Sequence, residues 1–241
     1  WIRVAEGNPR GTPELVKPDL GSDVLAMGFT RNGSYYYGVR SEMNDVYIAE
    51  LDLATGKLIS ALTPATQRFV GSNSRPDWSP DGRYLLCGNS STNAAVGNGL
   101  FLVPMNNPKR YVHMLSNRDI ITSARFSPDG RWVAYHSNES GRYEVYVRPF
   151  PGPGGQWQVS TAGGIRPDWA PNGKELYYLA PDGTLMAVPM AVNGATLAPG
   201  RPDALFPTRI VSGGTDLAGG KNYAASRDGR FLINTVLDDA A

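Results

Sequence analysis

The chain has 241 residues, 41% hydrophobic and 19% charged, enough apolar material for a substantial core and too little charge for a disordered tail. The formal net charge is +1, and the 18 arginines and 5 lysines are scattered rather than clustered, which argues against a nucleic-acid groove or a polybasic membrane anchor. With 28 glycines and 19 prolines, near a fifth of the chain against about 12% in typical domains, many turns and no long helices are expected.

No stretch approaches the roughly 20 apolar residues of a membrane-crossing helix, so no membrane insertion is expected. Cys87 is the single cysteine; it rules out an intrachain disulfide and a thiolate zinc site, and it reads as a small buried hydrophobe in a strand. The start at Trp1 rather than Met reads as a processing boundary or as one piece of a larger protein.

In chain order, one pattern recurs: an aromatic, a short turn ending in Asn-Gly or Asp-Gly, then a strand-like run. The copies are Phe29-Thr30-Arg31-Asn32-Gly33, Trp78-Ser79-Pro80-Asp81-Gly82, Phe126-Ser127-Pro128-Asp129-Gly130 and Trp169-Ala170-Pro171-Asn172-Gly173, with a weaker Ala225-Ser226-Arg227-Asp228-Gly229. Their glycines stand 49, 48, 43 and 56 residues apart, a period that marks repeated supersecondary units. In Ser79-Pro80-Asp81-Gly82 the proline presets φ, the aspartate suits the third turn position, and the glycine accepts the positive φ that closes the turn.

After each turn comes a β-rich second run: 34–39, 84–87, 132–135, 175–179 and 231–235. A polar turn and a third run follow in units one to four, at 45–51, 100–104, 143–148 and 184–189. A more polar fourth run is read at 57–60, 110–114 and 156–160, with Leu205-Phe206 marking it in the fourth unit. These compositions predict strands. Four hairpin-joined strands form an antiparallel sheet whose faces are too apolar to meet water, and radial stacking buries them.

The expected fold is therefore all-β: a β-propeller of four-stranded antiparallel blades at about 24–62, 76–116, 123–160 and 167–206. A fifth blade would be built from 223–236 together with 1–16, so that both termini close the ring. The alternatives are a β-sandwich, which does not explain the fixed unit, or a larger propeller cut at a strand boundary, whose open ends would favour self-association.

The segments Arg75 to Arg83 and Ala124 to Arg131 resemble the WD40-like (PD40) repeats of TolB-type bacterial β-propellers, and the resemblance runs from about Phe29 to Val236. It implies a role in protein interaction or ligand sensing, as in periplasmic TolB proteins that contact envelope partners or in propellers attached to bacterial signalling proteins. Similar propellers also precede prolyl-oligopeptidase-type hydrolases. The repeat motif forms the inner strand and its turn, and it carries no catalytic residue onto this chain.

His113 and His136 are the only histidines, in different units and strand positions, and both read as structural. Neither Gly-x-Ser-x-Gly nor His-Glu-x-x-His occurs. Arg75, Asp77, Arg125, Arg166 and Asp168 precede the aromatics of the inner strands and are candidates to line the channel mouth. They could serve there as an anion, peptide or cation site, or as paired charges tying blades together. Calcium is the candidate cation, although sequence shows no convergence of six to eight oxygens; otherwise no cofactor is expected. The stretch from Asn89 to Gly99, with Asn89, Asn93 and Asn98, breaks the repeat and is a candidate binding loop, as is the glycine-rich insertion Ile210 to Gly220. Trp78, Phe126 and Trp169 are expected between blades, and Trp1 and Trp157 are candidate contact residues at the surface.

The functional expectation is a non-catalytic interaction or sensing domain of a larger bacterial protein, with a protein or peptide partner, no nucleic acid, and an extracytoplasmic location favoured. The alternatives are the propeller of a hydrolase with catalysis elsewhere, and a purely structural scaffold.

Overall fold

The structure, a computed structural model, describes residues 3–5, 8–10, 24–29, 34–40, 44–66, 73–89, 98–117, 121–152, 154–194, 196–210 and 222–235. Every regular element among them is a strand. A first hairpin pairs β1 (Arg3–Ala5) with β2 (Asn8–Arg10). Four sheets follow, each laid out in chain order. Blade 1 is β3 (Val24–Phe29), β4 (Ser34–Arg40), β5 (Asn44–Glu50) and β6 (Thr63–Pro64). Blade 2 is β7 (Asn73–Trp78), β8 (Tyr84–Asn89), β9 (Asn98–Pro104) and β10 (Val112–Asn117). Blade 3 is β11 (Ile121–Phe126), β12 (Trp132–Ser137), β13 (Glu144–Pro149) and β14 (Trp157–Gln158).

Blade 4 runs β15 (Ile165–Trp169), β16 (Glu175–Leu179) and β17 (Thr184–Asn193). The near half of β17 pairs with β19 (Asp203–Pro207), while its far half turns back on β18 (Thr196–Pro199) as an added hairpin. A last hairpin joins β20 (Tyr223–Ala225) to β21 (Phe231–Ile233). The described parts of the terminal segments stand as two separate two-stranded sheets; 11–16 of the expected fifth blade lie outside the described residues.

Alternation along each strand explains why these runs read as continuously apolar. In β12 all six residues are buried. Trp132 and Ala134 face blade 4, where they meet Trp169, Leu176 and Tyr178. Val133 and Tyr135 face blade 2, where they meet Leu86, Leu100 and Leu102. Leu85 and Cys87 point the other way, toward Val46 and Ala65 of blade 1. Tyr177 and Leu179 carry the pattern on to Tyr223 and Ile210. A two-residue period buried on both faces is what stacked blades require. Cys87 is fully buried, and burial pushes its thiol pKa up.

The turns behave as their residues dictate. Gly82 N–H donates to Ser79 O (2.8 Å), Ser79 Oγ donates to Asp81 Oδ1 (2.6 Å) and accepts from Tyr84 N (2.9 Å), and Arg83 N donates to Asp81 Oδ1 (3.0 Å). These bonds hold the Asp81 carboxyl down to about 2. Ser127 to Trp132 repeats every bond of that set. At Asn172 the amide oxygen takes the bond from Lys174 N (2.9 Å), as aspartate does elsewhere. Successive turns also touch: a Cβ at Gly130 would lie 3.4 Å from Pro80 Cδ.

One strand position differs from the sequence reading. The fourth run of blade 1, read at 57–60, forms only an isolated bridge between Leu58 and Leu51, and the paired strand is Thr63–Pro64. The cause is local. The Asp52 carboxylate accepts from Ala54 N (2.9 Å) and Thr55 Oγ1 (2.5 Å), and Gly56 N donates to Asp52 O (2.7 Å), so 52–57 is consumed in a turn. The inner strands of blades 2 to 4 also begin two or three residues earlier than read.

Gly82 sits at φ +72° with nothing within 4 Å of where a Cβ would be. Gly82→Ala is therefore expected to cost about 1 kcal/mol through backbone strain alone. Urea unfolding should show a lower midpoint with an unchanged slope.

Candidate channel-mouth site

The inner strands of blades 2 to 4 carry the same irregularity. Register slips between Ser74 and Asp77 in β7, between Thr122 and Arg125 in β11, and between Ile165 and Asp168 in β15. Within those bulges Arg75, Ser123 and Arg166 adopt φ of 49°, 52° and 55°, a left-handed conformation that costs non-glycine residues on the order of 1 kcal/mol each. Pro76 and Pro167, which have no N–H to give a ladder, are placed where none is asked for.

Side chains of neighbouring strands take up backbone groups in these bulged segments. Arg166 N–H donates to His136 Nδ1 (3.1 Å), and Arg166 O accepts from Tyr223 Oη (2.7 Å). Arg125 O accepts from Trp169 Nε1 (3.2 Å). Asp77 Oδ2 reaches across to blade 3 and accepts from Phe126 N (2.7 Å). Asp77 is thus a tie between blades, one of the two roles open to it in the sequence.

The registers also regroup the arginines. Asp77 pairs with Leu86, Arg125 with Ala134 and Asp168 with Tyr177. Arg125 therefore stands at the position of the two aspartates, not of Arg75 and Arg166, and Ser123 takes the arginine position in blade 3. Arg125 is half-buried, with its guanidinium on Ala124 O (2.9 Å).

The arginines nonetheless converge. His136 is fully buried, in edge-to-face contact with Tyr143 (5.6 Å). Burial first, then the positive charges of Arg75, Arg166 and Arg125, push its pKa down to about 3. The imidazole is neutral at physiological pH, with Nδ1 as acceptor and the proton on Nε2. Burial raises the Tyr223 hydroxyl well above its usual range, and Asp168, Arg125 and Arg166 all act on it. Five candidate residues thus divide into three arginines around one imidazole and two aspartates among them. His136 and Tyr223, which organise the arrangement, were not singled out as site residues. No spacing in the sequence joins His136 to a backbone N–H 30 residues later.

This cluster lies at the end of the inner strands opposite the Ser-Pro-Asp-Gly turns, because Thr122 pairs with His136 and Ile121 with Ser137. Asn89 and Asn98 close β8 and β9 at the same end, paired with Asn73 and Asn117; Asn93 and 90–97 lie outside the described residues, as do 211–221. Among the described residues no group of three or more His, Cys, Asp or Glu is arranged to hold a metal ion. Trp157 does not stand free as a surface contact. It is half-buried and packs edge-to-face on Trp132 at 5.5 Å. Trp169 and Phe126 are buried between blades as expected, and Trp78 packs against the seam of blades 1 and 2.

Comparison with solved structures supports the fold. TolB from Acinetobacter baumannii superimposes with TM-score 0.60 at 21% identity, over 78% of this chain and 44% of its own. A putative TolB from Agrobacterium tumefaciens gives 0.59 at 17% identity, over 87% and 72%. The chain has the fold of a TolB-like β-propeller. The periplasmic gluconolactonase PpgL of Pseudomonas aeruginosa gives 0.57 at 17% identity, over 95% and 68%. This chain spans less than half the length of the first of these. No family model and no curated protein matches it. A protein named as an enzyme shares the fold, so the fold does not decide the chemistry.

Two outcomes test the site's architecture. Asp77→Ala leaves Phe126 N–H without its charged acceptor and is expected to lose about 1.5–3 kcal/mol of stability in denaturant titration. For His136, the unfolded imidazole titrates near 6.5 and the folded one only at about 3. In that window the unfolded chain binds the proton and the native chain does not. Stability that is full above pH 6.5 is therefore lost as pH falls toward 3, at up to about 1.4 kcal/mol per pH unit. His136→Asn, which keeps an acceptor near Nδ1, should flatten that slope relative to the parent in pH-resolved unfolding.

Proposed function

We propose that this propeller is a non-catalytic interaction or ligand-sensing domain of a larger bacterial protein, and that it receives an anionic group of its partner at the channel mouth. The carrying observation is that Arg75, Arg125 and Arg166 all act on one buried, neutral imidazole, which is itself bonded to the Arg166 backbone. Guanidiniums on rigid inner strands are preorganised for carboxylate recognition. The reading is supported by the uses of the polar groups described. His136 accepts a backbone bond as a buried neutral ring, and the Asp81, Asp129 and Asp228 carboxylates close turns.

A protein or peptide partner fits this site better than nucleic acid, since only Arg75, Arg125 and Arg166 act together on His136, while Arg83, Arg131 and Arg230 sit at separate turns. An extracytoplasmic location is supported by the fold shared with a protein named as periplasmic, and the single buried cysteine is compatible with it. The described residues include no helix long and apolar enough to cross a membrane.

The test is calorimetric titration with an acetylated hexa-aspartate peptide. The full chain should bind it saturably and more weakly as salt rises, and Arg125→Glu should weaken binding about tenfold or more with the melting temperature little changed. Equal affinity in the parent and in Arg125→Glu would overturn the reading.

A further inference from the structure

The seams between blades 2 and 3 and between blades 3 and 4 are built alike but finished differently. Backbone bonds align them: Met105 N donates to Arg83 O, Phe150 N to Arg131 O and Met190 N to Lys174 O, at 2.9, 2.7 and 2.8 Å. Ser79 N–Tyr84 O and Ser127 N–Trp132 O likewise place Arg83-Tyr84 of blade 2 where Arg131-Trp132 stands in blade 3.

In the seam of blades 3 and 4 the chain supplies its own lid. Past Met190, β17 continues into the hairpin with β18, and Leu197 is buried against Trp132, Trp169 and Met190. Arg131 holds the hairpin tip by donating to Gly194 O, and its guanidinium lies 6.0 Å from the Trp132 ring centre. In the seam of blades 2 and 3 no such hairpin follows Phe150. The chain runs on directly to β14. What stays is a cleft of about 510 Å³ bounded by Pro80, Arg83, Tyr84, Pro128, Phe150 and Pro151. Its aromatic wall is the edge-to-face pair Tyr84–Phe150 at 5.5 Å. Arg83, the counterpart of Arg131, is 78% exposed and folded onto Asp81 at 2.6 Å. So open an ion pair is weakly held, and Arg83 can exchange it for another acceptor at small cost.

We propose that this cleft is a peptide-docking groove that accepts from a partner what the β17–β18 hairpin supplies one seam further on. The occupant is a tight β-hairpin tip whose turn carbonyl is held by Arg83, with a leucine-sized side chain laid against Tyr84 and Phe150. The occupied seam shows both contacts made by this chain's own segment. The site lies at the turn end of the blades, opposite the arginine cluster, so it is independent of the channel-mouth reading.

The probe is a cyclised peptide with the sequence of residues 189–200, titrated into the isotopically labelled full chain and followed by amide chemical shifts. Saturable shifts are expected around Arg83, Tyr84, Gly130 and Phe150. Leu197→Ala in the peptide should weaken binding about tenfold, as loss of its buried methyl groups requires. Arg83→Glu in the protein should weaken it about fivefold or more, with an unchanged melting temperature, and Arg125→Glu should leave it intact. Absence of saturable shifts, shifts centred on Trp169 and Leu197 of the neighbouring seam instead, or indifference to both Leu197→Ala and Arg83→Glu would each overturn the proposal.

Discussion

The left-handed residue in the inner strands of blades 2 to 4 is the constraint from which the rest of this architecture follows. A regular strand would spend its N–H and C=O groups on the adjacent strand of its own sheet. The bulges at Arg75, Ser123 and Arg166 break that ladder near the axis, and buried backbone groups there must find partners. At Arg166 they find them in His136 and in Tyr223 of the next unit, and at Phe126 in Asp77 of the blade before. The apolar seams supply burial without direction. These few directional bonds complement them by fixing how one blade is set against the next.

The same constraint places charge. Straight strands would carry residues 75 to 77 or 166 to 168 alternately into the two seams, where an arginine and an aspartate would both be buried among leucines and tyrosines. A bulge of one extra residue re-aims them, and Arg75, Arg125 and Arg166 come near one imidazole. The strain of the positive φ is modest beside the cost of burying an unpaired guanidinium in an apolar seam. The repetition of the left-handed residue in three blades, with arginine in two and serine in one, shows that backbone geometry is the shared element and the charge is laid upon it.

Legibility in the sequence followed the range of the forces involved. The Ser-Pro-Asp-Gly turns were readable because every residue acts within five positions of itself, and all the bonds expected of Ser79 and Asp81 recur at Ser127 and Asp129. In blade 3 the second and third strands were readable because both their faces are buried. The fourth strands were less so. Thr63–Pro64 and Trp157–Gln158 are two-residue pairings, and in blade 1 the Asp52 turn displaced the strand downstream. The sequence groups Arg125 with Arg75 and Arg166 by charge, whereas register groups it with Asp77 and Asp168. His136 was read as structural, which its bond to Arg166 supports; its place amid three guanidiniums depended on contacts between blades that no local pattern encodes.

In a molecule built from copies of one unit, shared features hold the fold and departures from the unit carry individuality. The Arg that follows Asp-Gly in three of the repeat turns shows how one residue serves both ends. Arg83 and Arg230 fold back on the aspartate of their own turn, at 2.6 and 2.7 Å, where such exposed pairs add little stability. Arg131 occupies the same place in the unit, yet it reaches 63 residues on to the carbonyl of Gly194, because blade 4 alone lengthens its third strand into a hairpin that arrives there. The difference lies not in the arginine but in what the next blade presents to it. A residue conserved in position by the repeat thus becomes a latch only where the following unit departs from the pattern, and in the neighbouring seam that departure is left for another chain to make.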